Sequence, residues 1–494
     1  MGVIIATFIG IALLQVAVLA SRKFKEFYID VLAVAYGHDF MTSSFRTGEN
    51  TFHFHLFKNF VIGVRGQEAR KMFFEEKSLS SSEGYRMFSK AVPTPELSAT
   101  QLLFAEEEHS IHFKKQLGIL LGKNRYTEII ATMLGDLQRI TAAWGEEGTM
   151  DPFDHINDIT FLVTLHMITS HEFVSDHAFL SRFQNHFFTQ LKNNTPGMIF
   201  FPWLYRSAQR DKENSVMVLF SALSEHIETR KGSSGVSSEP IDLLLAHGMD
   251  TQGIIQFILG FLFGGVFNIT KATSWILIYT SLHPQWKTSL RSEIKSMLSH
   301  LSIDTSEPLY IRLSQVPIKA WEESMPTLDL VISETLRLIM NQTVLRRNVG
   351  EALQIPGGKD DHVVSLPRGA FVVYNHADAH LNPEVYTDPW RFDPQRHTNL
   401  SSPGHQKNSY EFLGWGAGRH RCAGVKIAKL AIKTIVSLFV MNYEYDAITT
   451  RRKTHSSTVP IPDYNKVNGV STMAFFESID PNGKLIDLVN PGAS

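Results

Sequence analysis

Cys422 is the only cysteine in a chain of 494 residues, and no other single feature narrows the possible folds so far. One thiol cannot close an intrachain disulfide, and it cannot build a multi-cysteine zinc site or an iron–sulfur cluster. Packed cores must hold the fold, in a chain too long for one core of ordinary size. The apolar fraction of 43% is that of a globular protein, and 34 phenylalanines suit a large helical core around an apolar pocket. A formal net charge of −2 gives no electrostatic reason to bind nucleic acid. The pairs His53/His55 and His109/His112 have no suitably spaced carboxylate or cysteine. They read as the polar face of a strand and one face of a helix rather than as metal ligands.

The cysteine lies in Trp415-Gly416-Ala417-Gly418-Arg419-His420-Arg421-Cys422-Ala423-Gly424. Three glycines allow a tight turn and close approach to a flat ligand. Backbone amides and the charges of Arg419 and Arg421 favour sulfur as the ligating anion. An apolar helical pattern starts at Val425 and continues through Ile427, Leu430, Ala431 and Ile435, placing the thiol near a helix N-terminus. A single thiolate ligand to haem iron is the task that suits this loop; the alternative is a buried free cysteine.

The stretch resembles the haem-binding loop of the cytochrome P450 family, the haem-thiolate monooxygenases. Trp415 stands where Phe is usual, and His420 where Arg or His is usual. The resemblance implies a mainly α fold with small β-sheets. It also implies haem b ligated through the Cys422 thiolate, with Trp415, Gly416, His420, Arg421 and Gly424 in its cradle.

Gly2 to Ala20 is apolar except for Thr7 and Gln15, and Arg22, Lys23 and Lys25 follow. At about 1.5 Å per residue this segment nearly crosses a bilayer core of roughly 30 Å. The basic flank sets the following domain on the cytoplasmic side. A cleaved signal peptide is the rival, but no charged segment precedes the apolar run. The expected organisation is a transmembrane anchor over 1–21, a short linker without a proline-rich hinge over 22–50, and a haem domain over 51–494. By the resemblance, the membrane is the endoplasmic reticulum.

Along the rest of the chain, Thr51 to Gly66 alternates as two short strands and Gln67 to Glu75 reads as a helix. Ser78 to Leu97 reads as a loop. Helical periodicity dominates from Ala99 to Tyr310, broken at 193–197 and 232–240. Thr251 to Leu282 reads as one long helix whose apolar stretch is too short to span a membrane, so it should thread the protein's centre. Short strands and turns follow Met340, then a final helix after Cys422.

Glu334 and Arg337 lie three residues apart and share a helix face. Alone, such a pair is commonly a solvated surface pair worth about 0.5 kcal/mol. Downstream, Pro389-Trp390-Arg391-Phe392-Asp393-Pro394-Gln395-Arg396 frames Arg396. The resemblance implies that Glu334, Arg337 and Arg396 lock together beneath the haem. It also implies cationic partners for the haem propionates: His420, Arg346 or Arg347, and Lys114 or Lys115, since no Trp occurs near 109–115.

In the central helix, Gly264-Gly265 permits close approach of substrate or oxygen. Where oxygen-activating members of the family carry an acid and then Thr, this chain has Phe267 and Asn268. Asn268 can donate and accept hydrogen bonds but is not an acid near neutral pH. The plain alternative is that Asn268 satisfies a backbone carbonyl. With Ala272 and Trp275, it resembles a subgroup including sterol 7α-hydroxylases, prostacyclin synthase and fungal secondary-metabolism members. The stretch Asn375 to Pro383 also looks fungal.

The expected pocket walls are 78–97, 263–270, 340–344 and 472–475. Met198 to Tyr205 is either a membrane-dipping apolar patch or ordinary core. Arg419, Arg421, Lys426, Lys429 and Lys433 form a basic cluster that the resemblance assigns to docking NADPH-cytochrome P450 reductase. The function implied is a membrane-bound monooxygenase that hydroxylates, epoxidises or desaturates an apolar small molecule. The alternatives are an isomerase or dehydratase of the same family needing no external electrons, and a non-catalytic haem- or sterol-binding membrane protein.

Overall fold

The computed structural model describes residues 29, 33, 37–45, 49–84, 107–120, 122, 125–145, 147–192, 201–232, 239–357, 363–398, 410–449 and 484–489. The expected anchor, residues 85–100 and residues 472–475 lie outside them, as do the side chains of His109 and His112.

The central helix runs Thr251–Leu282, with the bounds expected from sequence. Asp250 caps it by accepting a hydrogen bond from Gly253 N at 2.8 Å. Pro284, at the start of the next helix, follows its end. It is apolar on nearly every face because helices surround it. By length and composition it could cross a membrane, but 72% of its most apolar window is buried inside the protein. Helix Pro152–Ile168 runs antiparallel beside it through a polar seam. In that seam Ser274 Oγ donates to Pro152 O at 2.8 Å and Thr270 Oγ1 to Asn157 Oδ1 at 3.4 Å. Helices Pro326–Ile339 and Val425–Asn442 pack against the central helix as well.

The described strands are β1 (Thr51–Leu56), β2 (Asn59–Val64), β3 (Leu79–Ser80), β4 (Glu147–Met150), β5 (Thr343–Asn348), β6 (Leu353–Pro356), β7 (Val363–Leu366), β8 (Phe371–Asn375), β9 (Glu444–Thr449) and β10 (Lys484–Val489). They form a five-stranded sheet β1-β2-β8-β5-β3, a three-stranded sheet β4-β10-β9 and the hairpin β6-β7. β2 and β8 pair in parallel, which brings the N-terminal hairpin beside the strands that follow the Glu334 helix.

Two expectations need correction. β4 interrupts the helical stretch expected from Ala99 to Tyr310; it is four residues long and pairs with β10, Glu147 opposite Val489. A strand that short has too little alternation to read, and its partner is distant in sequence. The linker expected up to residue 50 contains the helix Gly37–Ser44, which packs against β5 and β8 and buries Met41. The folded domain thus begins before Thr51.

Candidate active site

The Cys422 loop owes its shape to two glycines. Gly416 (φ 69°) and Gly418 (φ 53°) adopt left-handed backbone, and a Cβ would lie 2.5 Å from His420 O at the first and 2.5 Å from Phe74 O at the second. Gly424, expected to share this role, has an ordinary φ of −95° and caps the helix Val425–Asn442. Cys422 N donates to Trp415 O at 2.8 Å, closing the loop. The half-buried Trp415 packs against the main core. We expect Gly416→Ala to lose most bound haem, because the Cβ meets backbone and the residue must hold a left-handed φ costing about 1–2 kcal/mol. Gly424→Ala should keep more haem, as its nearest contact is Ile427 Cγ2 at 3.6 Å; pigment per mole of purified protein checks the contrast.

Cys422 is accessible on one side, yet enough protein surrounds it that burial raises its thiol pKa. A hydrogen bond from Gly424 N and the charge of Arg421 act the other way and do not overcome burial. Those groups favour the sulfur as an anion, and a bound metal cation would favour it further.

Beside the thiol lies a cluster of cations. The accessible His420 has its pKa pulled down to about 4 by burial, then by the charges of Arg346, Arg419 and Lys114, with no carboxylate opposing them. Of the two arginines left open by sequence, Arg346 belongs here: it is 4% exposed and stacks on Phe73 and Phe74, 4.3 and 5.2 Å from their ring centres. Arg347, its neighbour on β5, turns to Gly369 O and Glu83 Oε2, each at 3.2 Å. The exposed Lys114 takes part through its charge, whereas Lys115 does not affect His420. Such convergence of positive charge suits a ligand with carboxylates.

On the central helix, Gly264 is exposed although the preceding Phe261, Leu262 and Phe263 are buried, and a Cβ there would meet nothing within 4 Å. Gly265 is half-buried, 3.7 Å from Thr164 Cγ2 by the same measure. Asn268 Nδ2 donates to Gly264 O at 2.8 Å, the carbonyl-satisfying role named above as the alternative. Phe267 instead stacks on Phe187 of the helix His177–Lys192, with ring centres 5.8 Å apart.

The Glu334 carboxylate is the most heavily bonded group in the site. Both it and Arg337 have 0% exposure. Arg337 Nε and Nη2 donate to its two oxygens at 2.7 and 2.8 Å, and Arg396 Nε reaches Oε1 at 3.0 Å. Arg337 Nη1 donates to His380 O at 2.6 Å and Pro389 O at 2.7 Å. Two donors were not anticipated: His397 Nε2, 2.8 Å from Oε2, and Asp393 N, 2.9 Å from Oε1. His397 follows Arg396 directly, and the signal for it was the number of donors a buried carboxylate needs. Burial raises the Glu334 pKa, but hydrogen bonds from Arg337 and His397 and their charges prevail and lower it. The motif is thus a buried junction, not a surface pair.

The cytochrome P450 family model matches residues 35–463. The chain belongs to the cytochrome P450 family. A cytochrome P450 monooxygenase, nsrP of Aspergillus novofumigatus, is 26% identical over 90% of this chain and 85% of its own. Another, AacuE of Aspergillus aculeatus, is 26% identical over 80% of this chain and 79% of its own. Among solved structures, a retinoic acid-bound cyanobacterial CYP120A1 matches the fold with TM-score 0.67 at 19% identity, covering 89% of this chain and 92% of that one. The protein is accordingly an oxidoreductase with haem ligated by the Cys422 thiolate. The accessible thiol, the cationic cluster and the open face at Gly264 fit that group.

The basic cluster of this P450 is smaller than expected. Lys433 is buried, donating to Trp321 O at 2.8 Å and Asp329 Oδ2 at 2.9 Å, so it is structural. Lys429 pairs with Asp329 at 3.0 Å and the exposed Lys426 with Glu322 at 3.4 Å. Arg421 is exposed and Arg419 half-buried. In the aromatic patch, residues 198–200 lie outside the described residues, while Trp203 and Leu204 are 58% and 70% exposed and are not core.

Proposed function

We propose that this P450 is an anchored monooxygenase that hydroxylates, epoxidises or desaturates an apolar small molecule, drawing electrons from NADPH-cytochrome P450 reductase. The observation that carries the reading is Gly264, an accessible backbone position midway along a largely buried, phenylalanine-rich helix. Oxygen activation is the chemistry that Cys422-ligated haem supplies when bound. Glu334, Arg337 and Arg396 hold the loop that precedes Cys422. His420, Arg346 and Lys114 neutralise the propionates, and Trp415, Gly416, Arg421 and Gly424 shape the cradle. Gly264 and Gly265 give substrate room, and Asn268 orients polar atoms beside them. The patch around Trp203 and Leu204, with the residue 1–21 anchor, suits a domain lying on the cytoplasmic face of the endoplasmic reticulum and taking substrate from lipid. Arg419, Arg421 and Lys426 are the basic groups offered to a reductase.

A second reading has one observation in its favour: Phe267 and Asn268 include no acid, and Asn268 is bonded to its own helix. That suits an isomerase or dehydratase acting on an already oxidised substrate. The test is to express the chain with its reductase and profile products under labelled dioxygen. The expected result is NADPH-dependent product carrying the label, or a desaturated product formed with matching dioxygen uptake. Product formed without NADPH would establish the second reading, and no product from any ligand that perturbs the haem spectrum would favour a binding protein.

A further inference from the structure

The face of the central helix that carries Gly264 and Asn268 also carries a buried cation. At about 100° per residue, Lys271 lies about 60° around the helix from Asn268, roughly one turn further along, and about 20° from Gly264, roughly two turns further along. Helical side chains lean toward the helix N-terminus, which for Lys271 is the direction of Asn268. Lys271 is 5% exposed, and its Nζ donates to Ile339 O at 2.9 Å, at the end of the Glu334 helix. Just beyond Ile339, Asn341 Oδ1 and Gln342 Oε1 are buried oxygens without a hydrogen-bond partner. An amine thus stands on the Gly264 face, bonded to Ile339 O beside a segment with unpartnered acceptors.

Monooxygenation consumes two protons and two electrons for each dioxygen: one oxygen atom enters the product and the other leaves as water. Neither Phe267 nor Asn268 can give a proton near neutral pH. We propose that Lys271 is the proton donor of this site. Its ammonium passes one N–H proton through water to the helix face that bears Asn268 and Gly264, and bulk water reprotonates the amine before the next transfer. The inference rests on the monooxygenase reading, in which the reductase supplies the electrons. Burial brings the Lys271 pKa down to about 7, where the amine can both give and regain a proton. The helices packed around it carry, among other charged groups, Asp154, Asp158, His166, Lys212, Lys287, Asp329, Glu334, Arg337 and Lys433, and burial is the cause of the shift.

The rival role is a purely structural one, tying the Glu334 helix to the central helix. The test uses the haem-loaded, reductase-coupled enzyme with Lys271→Met and Lys271→Arg. Arg keeps a cation and a donor for Ile339 O but does not release a proton in water. Both variants are expected to bind haem, to lose at least tenfold in product per NADPH while releasing hydrogen peroxide, and to lose the pH dependence of coupling around neutrality. Independently of turnover, the Nζ resonance missing from ¹⁵N-lysine-labelled Lys271→Met should titrate near neutrality in the wild-type ferric protein. Wild-type coupling in either folded variant, or a titration near the ordinary lysine value, would overturn the proposal. If Met fails to fold and Arg restores coupling in full, the structural role is correct. If the wild type consumes no NADPH with any product, the monooxygenase reading fails, and the resonance still decides whether Lys271 is a neutral-range acid.

Discussion

Cys422→Ser is expected to remove the red-displaced absorption of the reduced carbon monoxide complex and to bring turnover below detection. The hydroxyl of serine does not ionise near neutral pH, and no second cysteine can take over the ligand position. The loop should survive the change. Its closure is a backbone hydrogen bond from Cys422 N to Trp415 O, and its turns belong to Gly416 and Gly418. Thermal unfolding of the variant without haem should therefore match that of haem-stripped wild type, a difference of about 0.5 kcal/mol or less. Pigment with unchanged sulfur-type absorption, or retained turnover, would dismiss Cys422 as the ligand.

Glu334→Ala is expected to yield little haem-loaded protein. The substitution leaves Arg337 and the largely buried Arg396 without their carboxylate, and strips His397 and Asp393 N of their acceptor. Breaking a buried ion pair from one side costs about 3–5 kcal/mol. That is a large part of a typical folding stability of about 5–15 kcal/mol. Arg337→Ala should be similarly severe. Arg396→Ala should be milder, since Arg396 is 11% exposed and water can reach its place. The pH dependence has a definite sign. Because the folded-state pKa of Glu334 is lowered, its contribution is complete above the ordinary glutamate value of 4.5 and fades as pH falls through the lower folded value. Wild type should release haem on acidification below pH 4.5, with ordinary haem content in Glu334→Ala as the result that would refute the junction's importance.

These two residues show how unevenly sequence discloses a site. Cys422 is legible because its chemistry is local: a lone thiol, adjacent glycines and a helix start lie within one short segment. Glu334 and Arg337 are legible as a pair because helix geometry puts residues three apart on one face. Whether that face meets water or core is a tertiary matter, as is the arrival of His397 and Asp393 from beyond it. Arg346 and Arg347 are adjacent on β5, and only the packing of Phe73 and Phe74 separates them. Lys433 and Lys426 lie on one helix and look alike in sequence, yet one is buried against Trp321 and Asp329 and the other faces solvent. The pairing of β4 with β10 was equally hidden, since neither strand carries a mark of the other.

What the chain determined by itself is what depends on near neighbours: the bounds of the central helix, the turn-forming loop before Cys422, the strand pair opening the domain, and the cytochrome P450 resemblance that these motifs carry. What tertiary structure alone decided is which charges are buried and which partners they meet. Long-range packing sets the water around a side chain, and hence the cost of its charge. That cost makes Glu334 a five-donor junction and Lys433 a structural cation, and it brings Lys271 down toward neutrality.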